Sequence, residues 1–110
     1  MKKKIRLCND YSAEFPLEIF DNEIGYFTYS DINEIQEYLG FGIPDKTINE
    51  FISQQEKWEI LYESENPDHN EIKKIMSIGK VILTDLKNII NDKNIEFLMY
   101  DEISNSDIVI

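Results

Sequence analysis

Cys8 and His69 are the only cysteine and the only histidine in the chain. Nucleophilic catalysis requires a nucleophile beside a base, and a third group that orients the base. No catalytic signature surrounds Cys8, and a lone cysteine in a strand is usually a small buried hydrophobe. His69 is predicted to lie in the first turn of a helix, where the helix dipole disfavours a charged imidazole. We therefore expect no catalytic residue and predict that the protein is not an enzyme.

Patterns that hold metal ions or phosphates do not stand out in the sequence either. Structural zinc takes four Cys or His ligands, more than this chain contains. Residues 21–25 and 68–71 carry side-chain oxygens, but neither segment has the full spacing of a calcium loop. The Gly40-Phe41-Gly42 turn is not followed by the Lys-Ser or Lys-Thr of a phosphate-binding loop. We expect no metal and no cofactor.

Carboxylates are the chemical group in excess, with 22 acids against 11 basic residues and a net charge of −11 at pH 7. Chance pairs are unavoidable among so many acids, so paired carboxylates alone do not predict acid–base catalysis. Their distribution says more, because residues 7–45 contain nine acids and no Lys or Arg. Such a segment attracts cationic partners and disfavours nucleic acid and anionic membranes. The alternative is that this acidity serves only solubility.

The elements that carry the acidic segment are a predicted hairpin and a predicted helix. Asp21-Asn22-Glu23 separates two strand-like runs, which is typical of a hairpin turn. Asp31 and Glu34 have capping-box spacing, so a helix is predicted from Ser30 or Asp31 to Gly40. The strand-like segments in this half are residues 4–8, 17–20 and 24–29.

The C-terminal half is predicted to contain the long helix of the fold. Apolar residues recur there at steps of three and four, and Ile78 and Val81 widen the buried stripe. Trp58, Ile60 and Tyr62 fit the alternation of a strand. The predicted elements are a helix capped by Asp45 with Ile48, Phe51 and Ile52 buried, a strand at 57–63, a helix at 67–91 capped by Asn66 with Pro67 first, a strand at 95–100, and a tail that either frays or adds a short strand at 107–110.

The fold class predicted from this order is α+β (mixed α/β) in a single domain spanning residues 1–110. The expected architecture is a small mixed sheet with an N-terminal β-hairpin, two short helices and one long amphipathic helix packed on the sheet. The strand, long helix and strand from residue 57 to 100 are long enough for a parallel crossover. No secretory signal and no apolar run of about 20 residues is evident, so we expect a cytoplasmic protein.

The candidate binding surface combines the outward residues of the first helix with the upstream hairpin. Neighbouring carboxylates without Lys or Arg repel one another, whereas a solvated helix face usually intersperses both signs. Tyrosine beside carboxylates suits an interface, because the ring supplies buried area and the acids select Lys and Arg. The alternative is that the tyrosines cover the edge of the core while the acids are solvated. The predicted partner-binding residues are Glu18, Asp21, Glu23, Tyr29, Asp31, Glu34, Glu37 and Tyr38.

This profile resembles the immunity proteins of bacterial toxin–immunity pairs, including those of contact-dependent growth inhibition. The resemblance rests on the basic-free stretch from Asp10 to Asp45 and on the surface of Asp31, Glu34, Glu37 and Tyr38. It implies a tight 1:1 complex with a cognate basic toxin, often a nuclease, whose active site or substrate groove is blocked. Two alternatives stay open: a phage-type inhibitor that mimics nucleic acid, such as an anti-restriction or anti-CRISPR protein, and a small enzyme or regulatory subunit.

Overall fold

The computed structural model describes residues 2–11 and 13–110. Within that part, five strands and three helices follow one another along the chain. They are β1 (Lys3–Leu7), β2 (Leu17–Asp21), β3 (Tyr26–Tyr29), α1 (Ile32–Leu39), α2 (Asp45–Tyr62), α3 (His69–Ile90), β4 (Ile95–Asp101) and β5 (Ser106–Val109).

The strands form one mixed sheet in the order β3-β2-β1-β4-β5. β1 pairs in parallel with β4, and every other neighbouring pair is antiparallel. Ile5 of β1 lies opposite Ile19 of β2 on one side and Phe97 of β4 on the other. The predicted mixed α+β fold is confirmed, and the tail adds the strand that was predicted as one of its two alternatives.

The two faces of the sheet differ in what covers them. Because side chains alternate along a strand, Ile5 and Leu7 point to one face and Arg6 points to the other. All three helices contribute side chains to the core on the Ile5 face. Its fully or nearly fully buried residues include Ile5, Leu7, Leu17, Ile35, Phe51, Leu83, Leu86 and Phe97. We call the opposite side, which carries Arg6, Glu18, Phe27 and Tyr100, the outer sheet face.

The strand predicted at residues 57–63 is wrong, because this segment is the C-terminal end of α2. Strand alternation would bury Ile60 together with Trp58, yet Ile60 is 70% exposed while Trp58 and Leu61 are buried. The spacing from Trp58 to Leu61 continues the helical stripe of α2. The second helix is therefore 18 residues long rather than short, and the parallel partner of β4 is β1.

Helix ends follow local chemistry, with some boundaries shifted from those predicted. Asp31 caps α1, since its carboxylate accepts the Glu34 amide hydrogen at 2.8 Å, and Gly40 ends α1 with φ of 66°. α3 begins at His69, capped by Asp68 rather than by Asn66. The Asp68 carboxylate accepts the Asn70 amide hydrogen at 2.8 Å, which satisfies a free donor of the first turn. Asp45 is the first residue of α2 and forms no side-chain cap.

The long amphipathic helix is confirmed, but its buried stripe is narrower than predicted. Ile72, Ile75, Met76, Gly79, Ile82, Leu83 and Leu86 are buried. Ile78 and Val81 are 37% and 61% exposed, so they do not widen the stripe. Among residues 2–11 and 13–110, no helix combines the length and the apolar character needed to cross a membrane.

Candidate functional site

The predicted partner-binding residues separate into several places in the fold. Tyr29, Asp31 and Glu34 come together at one cleft, described below. Glu23 and Glu37 are exposed and do not line that cleft. The remaining residues of the set, Glu18, Asp21 and Tyr38, are engaged in contacts within the protein.

Glu18 is buried on the outer sheet face and already has a cationic partner. Its side chain receives a hydrogen bond from Arg6 Nε at 2.9 Å, and the Arg6 Nη2 atom lies at 2.9 Å from the same oxygen. Arg6 also contacts Asp107 at 3.2 Å and lies 4.3 Å from the centre of the Phe27 ring. Burial raises the pKa of Glu18 in spite of Arg6. With 4% of its surface exposed, Glu18 has little area to offer a partner.

Tyr38 holds α1 against the sheet. Its hydroxyl accepts the Lys4 amide hydrogen at 3.0 Å and can donate to the Phe20 carbonyl at 3.4 Å. Lys3 Nζ donates to the Tyr38 carbonyl at 2.6 Å. For Tyr38, these contacts favour the alternative interpretation, in which the ring covers the edge of the core. The last contact also brings the basic side chain of Lys3 to residues 7–45, which contain no Lys or Arg.

Asp21 organises the turn between β2 and β3. Its carboxylate accepts the Glu23 amide hydrogen at 2.8 Å and lies 3.4 Å from the Ile24 nitrogen. Gly25 then adopts a φ of 79°, a left-handed conformation that suits glycine. The hairpin predicted from Asp21-Asn22-Glu23 is therefore confirmed, and the Asp21 carboxylate has a structural role in it.

A cleft of about 360 Å³ lies between the β1–β2 loop, the N-terminus of α1 and one side of α2. Apolar residues form much of its lining, and acidic residues from the loop and from the N-terminal end of α1 stand beside them. Ile52, predicted to be buried, is 37% exposed here. The lining residues are Ala13, Glu14, Phe15, Tyr29, Ser30, Asp31, Ile32, Glu34, Ile48 and Ile52.

A second depression adjoins this cleft along α2. It shares Ala13, Glu14 and Ile52 with the first and adds Tyr11, Gln55, Glu56 and Glu59. We call the two depressions together the acidic groove. Its described lining residues include five carboxylates and no Lys or Arg: Glu14, Asp31, Glu34, Glu56 and Glu59.

The two sides of α2 differ in charge. The side facing the acidic groove carries Glu56 and Glu59, whereas a depression on the other side is lined by both signs, with Lys46, Glu50 and Lys57. The ion pairs formed within residues 2–11 and 13–110 are Lys2 with Glu96 and Arg6 with both Glu18 and Asp107. None of these pairs uses a carboxylate of the acidic groove.

Buried amides fix the loop that forms one wall of the acidic groove. Asn9 Nδ2 donates to Gln54 Oε1 at 2.7 Å and to Gln55 Oε1 at 2.8 Å. Gln54 returns a hydrogen bond to Asn9 Oδ1 at 3.0 Å, and Gln55 donates to the Asp10 carbonyl at 2.6 Å. Such a satisfied network favours one conformation, because breaking it would leave buried polar groups without partners. The network ties residues 9–10 to α2 and so limits where the following loop can lie.

Aromatic contacts fix the same loop at two further points. Phe15 meets Phe51 of the core edge-to-face at 5.7 Å between ring centres. Tyr11 meets Trp58 at 5.1 Å, and Trp58 stacks on Tyr62 at 4.6 Å. Trp58 Nε1 donates to Glu102 at 2.9 Å, which links this cluster to the turn after β4. The wall of the acidic groove is thus preorganised by α2.

Cys8 and His69 do not line the acidic groove. Within residues 2–11 and 13–110, no cluster of three or more His, Cys, Asp or Glu has metal-binding geometry. Cys8 receives a hydrogen bond from the Tyr29 hydroxyl at 3.8 Å. Burial, followed by the charge of Glu18, raises the pKa of Cys8 to about 11, the reverse of an activated nucleophile. His69 is exposed at the start of α3.

Sequence reasoning missed Tyr11, Glu14, Glu56 and Glu59 as groove residues. Glu56 and Glu59 follow Ile52 at steps of four and three, so a longer predicted α2 would have placed them on one side of the helix. Tyr11 and Glu14 carry no local signal, because only the amide network and the aromatic contacts bring their loop to α2.

Comparison with known proteins identifies no relative. No family model matches the chain, and no curated protein or solved structure is significantly similar to it.

Proposed function

We propose that the protein binds a basic protein partner through the acidic groove and thereby inhibits it. The specific form that we propose is a cytoplasmic immunity protein, which neutralises a cognate basic toxin, such as a nuclease, in a 1:1 complex. The observation that carries this proposal is an apolar cleft lined by carboxylates from two walls.

The lining of the acidic groove suits a cationic protein segment better than a small neutral molecule. Ile32, Ile48 and Ile52 offer apolar area whose burial stabilises a complex by roughly 25 cal/mol per Å². Glu14 and Glu34 would be left desolvated and unpaired by a neutral ligand, which costs free energy. A Lys or Arg side chain covers the apolar area with its stem and pairs the carboxylates with its head.

Electrostatics also supports a basic partner through the rate of association. A net charge of −11 and a concave acidic surface steer cationic proteins and raise the association rate, most strongly at low salt. Glu37 and Glu23 are exposed outside the groove and can contribute to this field without direct contact. Their predicted place in the interface stays a prediction.

Nucleic-acid mimicry is less well supported by the shape of the site. A mimic presents its carboxylates outward at phosphate-like spacing, whereas the acidic groove sets them around an apolar cleft. The outer sheet face does not provide the outward row either, because Glu18 and Asp107 are paired with Arg6. Mimicry is therefore one outcome that the following test distinguishes.

The test compares two variants with the same change in net charge. The groove variant carries Glu14→Gln, Asp31→Asn and Glu34→Gln, and the change to asparagine keeps a side-chain oxygen that can cap α1. The matched control carries Glu50→Gln, Glu65→Gln and Asp85→Asn, none of which lines the acidic groove. Each tagged protein serves as bait in lysate of the source organism, at low and at high salt.

The proposed function predicts one basic protein that the wild type and the control retain and the groove variant loses. Purified, that protein should have a toxic activity that an equimolar amount of wild type abolishes. Recovery of many DNA-binding proteins would instead indicate nucleic-acid mimicry. A partner held equally by all three baits would refute the placement of the interface at the acidic groove.

A further inference from the structure

We infer that the cleft between the β1–β2 loop, α1 and α2, which is the first depression of the acidic groove, binds one arginine side chain of the partner. This inference rests on the proposed function and deepens it by naming the anchoring group. Three features favour an arginine side chain over lysine and over neutral side chains. They are the arrangement of the carboxylates, the size of the cleft, and the surroundings of an arginine that the protein already contains.

The carboxylates of the cleft stand on different elements. Glu14 comes from the β1–β2 loop, Asp31 is the N-cap of α1, and Glu34 lies in the first turn of α1. One oxygen of Asp31 already accepts the Glu34 amide hydrogen, which leaves its other oxygen free of that bond. A guanidinium has five N–H donors in one plane and can bond carboxylates on two walls at once. A lysine ammonium is a compact, strongly hydrated charge and matches such a divided set less well.

The size and the lining of the cleft suit a single long side chain. Its volume of about 360 Å³ is near the lower limit of about 300 Å³ for ligand pockets. Ile32, Ile48 and Ile52 supply aliphatic surface along which three methylene groups can lie.

The protein already holds one arginine of its own in such surroundings. Arg6 contacts Glu18 at 2.9 Å and Asp107 at 3.2 Å, and these carboxylates come from two different strands. Its guanidinium also lies 4.3 Å from the Phe27 ring centre and 5.8 Å from that of Tyr100. The cleft likewise has carboxylates from two elements, beside aliphatic side chains, but its described lining contains no cation. An arginine supplied by the partner would pair with these carboxylates as Arg6 pairs with Glu18 and Asp107.

The experiment uses N-acetyl-arginine methylamide as the probe and the full chain as the receptor. Methyl NMR signals of Ile32, Ile48 and Ile52 report on the cleft. N-acetyl-lysine methylamide tests the choice of cation, and N-acetyl-citrulline methylamide supplies a neutral side chain of nearly the same shape. Titration extends to about 50 mM, because a single side chain is expected to bind with a Kd of roughly 1–20 mM.

The arginine probe should shift the three isoleucine signals along saturable curves, with binding at least about fivefold tighter than for the lysine probe. The citrulline probe should leave them unchanged. Asp31→Asn combined with Glu34→Gln should weaken arginine binding about tenfold, while Glu50→Gln combined with Asp85→Asn should not. Chemical shifts outside the cleft verify that each variant is folded.

Equal binding of arginine and lysine, binding of citrulline, or no saturable shift with arginine would each overturn the inference. These failures are distinguishable from failure of the proposed function. If the groove variant still loses its captured partner while the probes fail, the acidic groove binds a basic protein without an arginine anchor. If the probes bind and no partner depends on the groove, the arginine site exists but the proposed function is wrong.

Discussion

Gly79→Ala is expected to destabilise the protein, although alanine is the better helix former. Gly79 lies inside α3, where α3 passes close to β1 and α2. A Cβ at this position would lie 2.6 Å from Leu7 Cδ2 and 3.1 Å from Gln54 Nε2. The first distance is about 1 Å shorter than the optimal contact between carbon atoms. Leu7 and Gln54 are each 1% exposed, so neither side chain has room to move away.

The magnitude follows from three contributions. Replacing glycine by alanine in a helix interior stabilises it by about 1 kcal/mol. Overpacking against Leu7 costs about 1–3 kcal/mol. Displacing Gln54 weakens its hydrogen bonds to Asn9 at 3.0 Å and to the Ile75 carbonyl at 3.3 Å, a further cost of about 1 kcal/mol. The net expectation is a loss of about 1–3 kcal/mol in the free energy of unfolding.

Urea unfolding followed by far-UV circular dichroism measures this loss. Ser77→Ala is the matched control, because Ser77 is exposed on the same helix, and it should stabilise the protein by up to about 0.5 kcal/mol. Combining Gly79→Ala with Leu7→Ala should cost less than the sum of the two single changes, since Leu7→Ala removes the clashing methyl group. A Gly79→Ala protein as stable as the wild type would refute the argument, and additive costs in the double variant would show that Leu7 is not the obstacle.

Three further predictions concern single side chains. The pKa of Cys8 is raised from 9.0 to about 11, so iodoacetamide at pH 8 should alkylate it about 100-fold more slowly than in the urea-unfolded chain. Mass spectrometry can follow the alkylation, and a native rate within tenfold of the unfolded rate would contradict this prediction. Trp58→Phe removes the 2.9 Å hydrogen bond to Glu102 and should lower the free energy of unfolding by about 1–2 kcal/mol, as measured by urea titration. An unchanged urea midpoint would show that water replaces that bond. Asp31→Ala should cost about 1 kcal/mol and Asp31→Asn only a few tenths by the same assay, and equal losses would mean that charge, rather than the cap, stabilises α1.

Elements with strong local signals were predicted well. Asp31 caps the start of α1 and Gly40 ends it, as predicted, because capping bonds and left-handed glycine conformations involve residues only a few positions apart. The buried stripe of α3 runs from Ile72 to Leu86, about four helical turns, so its periodicity predicted the helix in spite of local exceptions such as Val81. The prediction of a strand at residues 57–63 was wrong because Trp58, Ile60 and Tyr62 fit the alternation of a strand only over a short window. Burial of Leu61 and exposure of Ile60 were settled by packing.

The candidate site was only partly predictable, since charges interact through space and not along the sequence. Residues 7–45 contain no Lys or Arg, but the central position of β1 places Arg6 beside Glu18 and Lys3 beside Tyr38. Glu56 and Glu59, distant in sequence, join Glu14 at the acidic groove. The predicted set therefore loses Glu18 to an ion pair on the outer sheet face and gains Glu56 and Glu59 from α2.

The sequence by itself determined the excess of negative charge, the small number of Cys and His residues and the ends of α1. Each depends on composition or on hydrogen bonds between near neighbours. The tertiary structure decided which carboxylates are paired and which line a cleft, because pairing and desolvation depend on distances of a few ångströms between residues far apart in the chain. Those distances were set by strand order and by the amides of Asn9, Gln54 and Gln55, which hold a loop that has no local preference for its position.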